Sequence, residues 1–282
     1  MKLIVVIGPT ASGKTAKAIE LAQHLHTEIL SCDSRQFYSE LNIGVARPTS
    51  DELATVPHHF IACRSILHPY NVYDFEHEAL HLLDQLFLHH DTVVAVGGSG
   101  LYIEALCKGI SKLPDPLPGL REQLQHQLHN EGIYSLQRQL QLLDPDYFAR
   151  VDQHNPVRLQ RALEVCFTTG RPYSQVIVEQ QPQPRPFAIE YCQVHRSPEE
   201  LRKRINQRVD QMFADGLEAE ARSLEPIYRQ YHPQTLNTVG YKEFYEPLPL
   251  NENPSAPKTI ADWIKLNTWH YAKKQLTWFQ KR

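Results

Sequence analysis

Apolar residues fall into short unbroken runs near the start of the chain and into helical stripes beyond them. Leu3–Ile7 is uninterrupted and ends at Gly8-Pro9, the pattern of a strand buried on both faces. Lys14 to about His26 carries helical spacing. Glu28–Ser31 reads as a second strand that stops at Cys32-Asp33-Ser34, and His59–Ala62 as a third. Asn71 opens a long helix to about His90, with Asp74 three residues on in capping-box position. Thr92–Val96 is a fourth strand, and Gly97-Gly98-Ser99-Gly100 turns it into another helix. Strands alternating with helices predict an α/β fold, a parallel sheet with helices on both faces.

The pattern changes near residue 111. Lys112–Gly119 is proline-rich and reads as a connector; residues 120–170 are helical and rich in Gln and Leu; a second proline cluster follows at 181–186. This predicts an all-helical subdomain over 111–186, inserted into a discontinuous core of 1–110 and 187–282. Phe187–Val194 is expected to rejoin the sheet. Ser197-Pro198-Glu199-Glu200 combines an N-cap, a first-turn proline and a capping Glu, and opens a basic helix over Leu201 to about Ala214. Tyr245–Pro257 is a proline-rich acidic loop, and Thr259–Arg282 a basic, aromatic helix.

Composition narrows the class. The 282 residues are 41% hydrophobic and 22% charged, which excludes a wholly disordered chain. Lys and Arg total 29 against 32 Asp and Glu, a net charge of -3, so any nucleic-acid surface must be local. The 5 cysteines are widely spaced without a CxxC, which argues against a disulfide framework or zinc ribbon and fits a reducing cytoplasm. No apolar run approaches the ~20 residues of a membrane span, and Leu3–Ile7 is too short for a signal peptide. The expectation is a cytoplasmic protein with no membrane partner.

The strongest chemical signal is Gly8-Pro9-Thr10-Ala11-Ser12-Gly13-Lys14-Thr15, which fits G-x-x-x-x-G-K-S/T between a strand and a helix. Such a loop wraps its N–H groups and a helix N-terminus around a phosphate; Lys14 adds a point charge, and Thr15 is a candidate Mg2+ ligand. It predicts phosphate without specifying ATP. A nucleotide hydrolase or kinase also places an Asp at the end of a second apolar strand, whereas Thr92–Val96 ends in two glycines. The acid stands instead after the second strand, at Asp33. Carboxyl ends of parallel strands face the ligand crevice, so Asp33 is a candidate metal ligand, general base or helix N-cap.

With these residues in hand the chain resembles the tRNA dimethylallyltransferases (tRNA isopentenyltransferases). The matching blocks are Gly8–Thr15, Asp33–Gln36, Gly44–Pro48, His58–Phe60, Gly97–Tyr102, Arg158–Glu164, Arg204–Met212, Val239–Glu243 and Gln275–Phe279, in family order along nearly the whole chain. The resemblance implies a P-loop NTPase-like sheet flanked by helices with an inserted all-helical tRNA-binding subdomain. It implies transfer of a dimethylallyl group from dimethylallyl diphosphate to N6 of adenine 37, beside the tRNA anticodon, with Mg2+ as cofactor and a monomer as the working unit. Asp33 would be the general base and Thr10 a residue at the reacting centre. Gly8–Thr15 would bind the diphosphate, and Arg208 would neutralise the leaving group with Lys14 and Thr15. Asp33, Ser34, Arg35, Gln36, Ser99, Arg121 and the run Val157, Arg158, Leu159, Gln160, Arg161 would contact the anticodon loop. Departures from the family pattern are Ser99 in place of Thr, the larger Arg35 and Phe37, and residues 61–71.

Other signals are weighed beside it. Basic and aromatic residues interleave over 258–282, which suits phosphate contact and base stacking, although an amphipathic helix packing its aromatics on the core fits as well. Arg202, Lys203, Arg204 and Arg208 form a second basic stripe, of which a solvated face accounts for the first three. His77-Glu-Ala-Leu-His81 matches H-E-x-x-H, but at about 100° per residue both histidines fall opposite the apolar stripe, so zinc is not expected. Three alternatives remain: an adenylate isopentenyltransferase, a P-loop small-molecule kinase and a non-catalytic RNA-binding protein.

Overall fold

The structure, a computed structural model, describes residues 1–68, 70–179, 184–246 and 257–280. Residues 181–183 of the second proline cluster, 247–256 of the acidic loop, and Lys281 and Arg282 of the tail lie outside the described residues. The chain divides into two compact units, 1–107 with 185–282, and 108–184.

In the first unit the elements run β1 (Lys2–Ile7), α1 (Lys14–Leu25), β2 (Ile29–Ser31), α2 (Ser50–Thr55), β3 (His58–His59), α3 (Val72–Leu86), β4 (Thr92–Gly97) and α4 (Gly100–Lys108). The second unit supplies α5 (Leu120–Glu131), α6 (Ile133–Leu143), α7 (Pro145–Phe148), α8 (Pro156–Thr169) and α9 (Tyr173–Glu179). The first unit resumes with β5 (Ala188–Gln193), α10 (Pro198–Ala214), α11 (Leu217–Tyr231), α12 (Lys242–Tyr245) and α13 (Ile260–Phe279).

The five strands form one parallel sheet in the order β3-β2-β4-β1-β5. Side chains alternate across it. Leu3, Val5 and Ile7 of β1 join Val93 and Ala95 of β4 on one face, beneath Phe75, Ala79 and Leu83 of α3. Val6, Val94 and Val96 point the other way, onto Ala18 and Ala22 of α1. A fully buried Val or Leu contributes about 1.5–3 kcal/mol, so the uninterrupted apolar runs in the sequence are the cost of covering both faces. The helical unit has its own core, with Leu124, Leu136, Leu140, Leu159 and Leu163 at its centre.

Several boundaries differ from the sequence expectation for local reasons. The third strand is His58–His59 rather than 59–62, because Phe60 and Ala62 take positive φ angles of 61° and 49° and leave the extended region. The Asn71–Asp74 capping box forms as expected, but α3 stops at Leu86. The helical stretch 120–170 is four helices, broken at Gly132, at Asp144-Pro145 and at 149–155. Helices α2 and α11 were not expected.

One buried ion pair marks where the chain leaves and re-enters the first unit. Arg185 pairs with Glu76, their side chains only 8% and 6% exposed, and its guanidinium also donates to the carbonyls of Leu106 (2.8 Å) and Ala105 (2.6 Å). The N–H groups of Nε and Nη2 thus meet acceptors, which a buried guanidinium needs.

Candidate active site

The carboxyl ends of the parallel strands carry the loops that build the site, as the crevice rule for such sheets requires. Gly8–Thr15 follows β1, Asp33 follows β2 and Gly97–Ser99 closes β4. A cavity of about 350 Å3 opens there, lined by Thr10, Lys14, Thr15, Asp33, Gln36 and Arg208, together with Arg204 and the 45–49 loop. That volume is within the range of small-ligand sites.

Local bonds hold the phosphate loop in shape. Gly8, Pro9, Ala11 and Ser12 are buried and shape the loop from behind. Ala11 sits in the left-handed region at φ 63°, a conformation costly for a residue with a Cβ. Arg204 Nε donates to the Ala11 carbonyl at 2.7 Å, Arg196 Nε to the Ser12 carbonyl at 3.2 Å, and Ser12 N–H to Pro9 O at 3.2 Å. These bonds fix the carbonyls of Ala11 and Ser12, and a loop of this kind followed by a helix suits an anion. Burial at the cleft floor lowers the Lys14 ammonium from the usual 10.5 to about 8; Asp33 pulls it up and Arg208 pushes it down. Arg208 is also lowered, first by burial and then by Arg204. Cations gathered this closely are poorly compensated by the protein itself, which favours an anionic ligand.

Asp33 caps a turn rather than a helix. Its Oδ1 accepts the Arg35 N–H at 3.0 Å. Ser34 N–H donates to Ser99 Oγ at 3.0 Å, and that hydroxyl donates in turn to Ser34 Oγ at 3.1 Å. Ser99 is therefore a buried support of the turn. Gln36 is oriented by the carbonyls of Val45 (3.3 Å) and Ala46 (3.0 Å). The 42–44 segment leading into that loop is clamped by Glu220 of α11, whose carboxylate accepts the N–H groups of Ile43 (2.9 Å) and Gly44 (3.1 Å) and the Tyr241 hydroxyl (2.5 Å). Gly44 fits because a Cβ there would lie 2.5 Å from the Tyr241 ring.

No acid follows β4, and none fits at its last position: a Cβ at Gly97 would lie 2.6 Å from the Cys32 carbonyl oxygen. Two departures from the family pattern meet each other. Phe37, fully buried, packs edge-on against Tyr70 with ring centroids 5.4 Å apart, and Arg64 lies over the Tyr70 ring.

In the helical unit Val157 and Arg158 are exposed, and Gln160 and Arg161 half-buried, near the N-terminus of α8. Arg121 and Arg161 share Glu164, at 2.8 and 2.9 Å. Leu159 is fully buried in that unit's core, so its side chain packs and does not offer an RNA contact, contrary to the expectation.

His77 and His81 face solvent, and among the described residues no group of three or more His, Cys, Asp or Glu could hold a metal. Sequence reasoning undervalued Arg204, read as a solvated cation, and missed Arg196 and Gln275 as supports of the loop. Arg204 lies one turn before Arg208 on α10, and that i, i+4 spacing was an available signal.

Comparison with known proteins bears on this site. The model of the IPP transferase family matches residues 36–282. The chain is 45% identical over 279 residues to the tRNA dimethylallyltransferase of Christiangramia forsetii, covering 99% of this chain and 90% of that one. It is 44% identical to tRNA dimethylallyltransferase 1 of Bacteroides thetaiotaomicron, with 99% and 88% covered. Among solved structures, the tRNA isopentenylpyrophosphate transferase of Bacillus halodurans superposes with a TM-score of 0.66 at 32% identity, over 100% of this chain and 87% of that one. A eukaryotic dimethylallyltransferase acting on tRNA superposes at 0.79 and 24% identity, covering 98% and 69%, and speaks to the P-loop-type fold alone.

Proposed function

This chain belongs to the IPP transferase family, and from that premise we propose that it transfers a dimethylallyl group from dimethylallyl diphosphate to N6 of adenine 37, beside the anticodon of a tRNA, and releases pyrophosphate. The observation that carries this reading is the joint lining of one cavity by Lys14, Thr15 and Arg208 with Asp33. The cations of that set suit a diphosphate, and the carboxylate suits an amine that must lose a proton.

In the reaction the C1–O bond to the diphosphate breaks and the N6–C1 bond forms. Charge accumulates on the leaving oxygens, where Lys14, Arg208 and the loop amides stabilise it. An exocyclic adenine amine is a weak nucleophile. Asp33 accepts its proton as the bond forms; Oδ1 is held by Arg35 N–H, which leaves Oδ2 for the amine. Thr10 lines the same cavity. The base must leave its stack to enter. Arg35 and Gln36 beside Asp33, with Arg121, Val157, Arg158, Gln160 and Arg161 of the helical unit, are the residues through which we expect the anticodon loop to be held.

The donor set also fits Mg2+. Thr15 borders the cavity, and a magnesium ion takes one or two protein oxygens and completes its shell with phosphate oxygens and water. When bound, it would neutralise leaving-group charge. The free thiols of Cys32, Cys63, Cys107, Cys166 and Cys192 fit a cytoplasmic setting. No described helix is long and apolar enough to cross a membrane, and one chain carries every residue invoked, which fits a monomer.

A kinase reading lacks its acid after β4, where glycine is sterically required. An adenylate isopentenyltransferase leaves the helical unit without a task. The deciding assay incubates the protein and Mg2+ with radiolabelled dimethylallyl diphosphate and either unmodified tRNA or AMP. Label in tRNA and not in AMP is expected. Label in AMP alone would overturn the reading, and label in neither would send the site to ATP as the next substrate.

A further inference from the structure

The sheet order sets a mechanical problem. The phosphate loop follows β1 and Asp33 follows β2, but β4 lies between those strands. The two halves of the chemistry therefore do not adjoin through the sheet. Their relative position depends on what crosses the end of β4.

The crossing is made by Gln275 of α13. Its side-chain Oε1 accepts the Thr10 N–H at 2.8 Å, and its Nε2 donates to the Gly98 carbonyl at 2.8 Å. The amide cannot be flipped, since a backbone N–H only donates and a carbonyl only accepts. The residue is 6% exposed. Gly98 leaves no room for a side chain: a Cβ there would lie 2.5 Å from Gln275 Nε2 and 3.5 Å from Lys14 Nζ. From Gly98 the chain runs directly to Ser99, whose hydroxyl holds Ser34, the neighbour of Asp33. Tyr271, one turn earlier on α13, sets its hydroxyl beside Ser99 and Gln275, where loss of water raises its pKa to about 12. The helix is itself seated by the buried Ala272 and Phe279.

We propose that Gln275 is a positioning residue that fixes the phosphate loop against the Asp33 turn across β4, and so sets the distance between leaving group and base. The inference rests on the prenyl-transfer reading above. It also assigns the Thr10 amide to Gln275, so that the diphosphate takes its backbone bonds from the residues after Thr10. Reacting groups displaced by an ångström lose rate far more than affinity, by about a hundredfold.

The test compares wild type with Gln275→Leu, which removes both bonds, and Gln275→Glu, which keeps the acceptor for Thr10 but not the donor to Gly98. Single-turnover transfer is measured at saturating tRNA and dimethylallyl diphosphate. Dissociation constants are measured separately for inorganic pyrophosphate and for tRNA, and thermal unfolding reports the folded fraction. The expected result is a rate loss of about a hundredfold for Leu and a smaller one for Glu, with both dissociation constants within about threefold of wild type. A folded Leu variant that transfers at the wild-type rate would overturn the proposal, as would a loss carried wholly by the two dissociation constants. If the Leu variant does not fold, the Glu variant decides by the same criteria. A wild-type protein that transfers nothing to tRNA refutes the prenyl-transfer reading before any variant is compared; transfer by wild type with unchanged variants refutes only the role of Gln275.

Discussion

The Lys14 ammonium is held near 8 in the ligand-free cleft by burial, although Asp33 partly restores it. The sign of the resulting pH dependence follows directly. A lysine whose pKa falls is charged below the lowered value and neutral above it, so its grip on an anion is complete near pH 7 and fades as the pH rises through 8. With a pKa of about 8 the charged fraction drops from about nine-tenths at pH 7 to about one-tenth at pH 9. A bond from this ammonium to a diphosphate oxygen is worth about 1.5–3 kcal/mol, roughly ten- to a hundredfold in affinity. The perturbation is Lys14→Met, and the assay is calorimetric titration with inorganic pyrophosphate in EDTA from pH 6.5 to 9.5. Titration of pyrophosphate itself affects both proteins alike, so the informative quantity is the ratio of their dissociation constants. That ratio should lie between about ten and a hundred at pH 7 and shrink by about tenfold at pH 9. A ratio that stays constant through pH 9 would mean that Lys14 titrates like a solvated lysine and that the cleft does not desolvate it.

Asp33→Asn should reduce transfer by at least about a hundredfold while leaving tRNA affinity near wild type, as read by filter binding; retained activity would remove Asp33 as the base. Tyr241→Phe should lower unfolding stability by about 1–2 kcal/mol through loss of its bond to Glu220, and Glu220→Gln by more, because an amide nitrogen would then oppose backbone N–H groups; guanidinium denaturation measures both, and equal values would contradict the clamp. The paired change Lys273→Glu with Lys274→Glu should weaken tRNA binding and flatten its dependence on log salt by about 2, since both side chains are exposed on α13. An unchanged slope would assign this helix a packing role only.

The parallel sheet was legible because a strand covered on both faces must be apolar at every position, and Leu3–Ile7 and Thr92–Val96 are. The phosphate loop was legible because its chemistry sits on consecutive residues. Asp33 could be singled out, because the ends of parallel strands converge on the crevice wherever they fall in the chain. What sequence spacing could not show was long-range support. Gln275 reaches Thr10 across 265 positions, and Arg204 reaches Ala11 across 193; neither bond has a local signature. The tail had two readings, and the structure gives it both features, with Phe279 buried and Lys273 and Lys274 exposed. Deleting it would take away Gln275 as well as any RNA contact, so charge reversal is the cleaner probe. Helix α11 was missed although Leu217, Ala221 and Leu224 recur at helical spacing, because Pro226 interrupts the pattern.

The clasp formed by Arg185 has a meaning for how such a protein could have been assembled. The guanidinium of the first residue after the return holds the carbonyls of Ala105 and Leu106, just before the departure at Cys107. The sheet unit thus closes on itself at a single doorway, sealed by Glu76 from within. Whatever chain is spliced between those two points, short turn or helical module, meets the same anchored stumps, so the insert can be lengthened, exchanged or recombined as a cassette while the strands beneath keep their register. Recognition of the large substrate could then diversify in one piece of the gene while the bond-making machinery stayed fixed in the other.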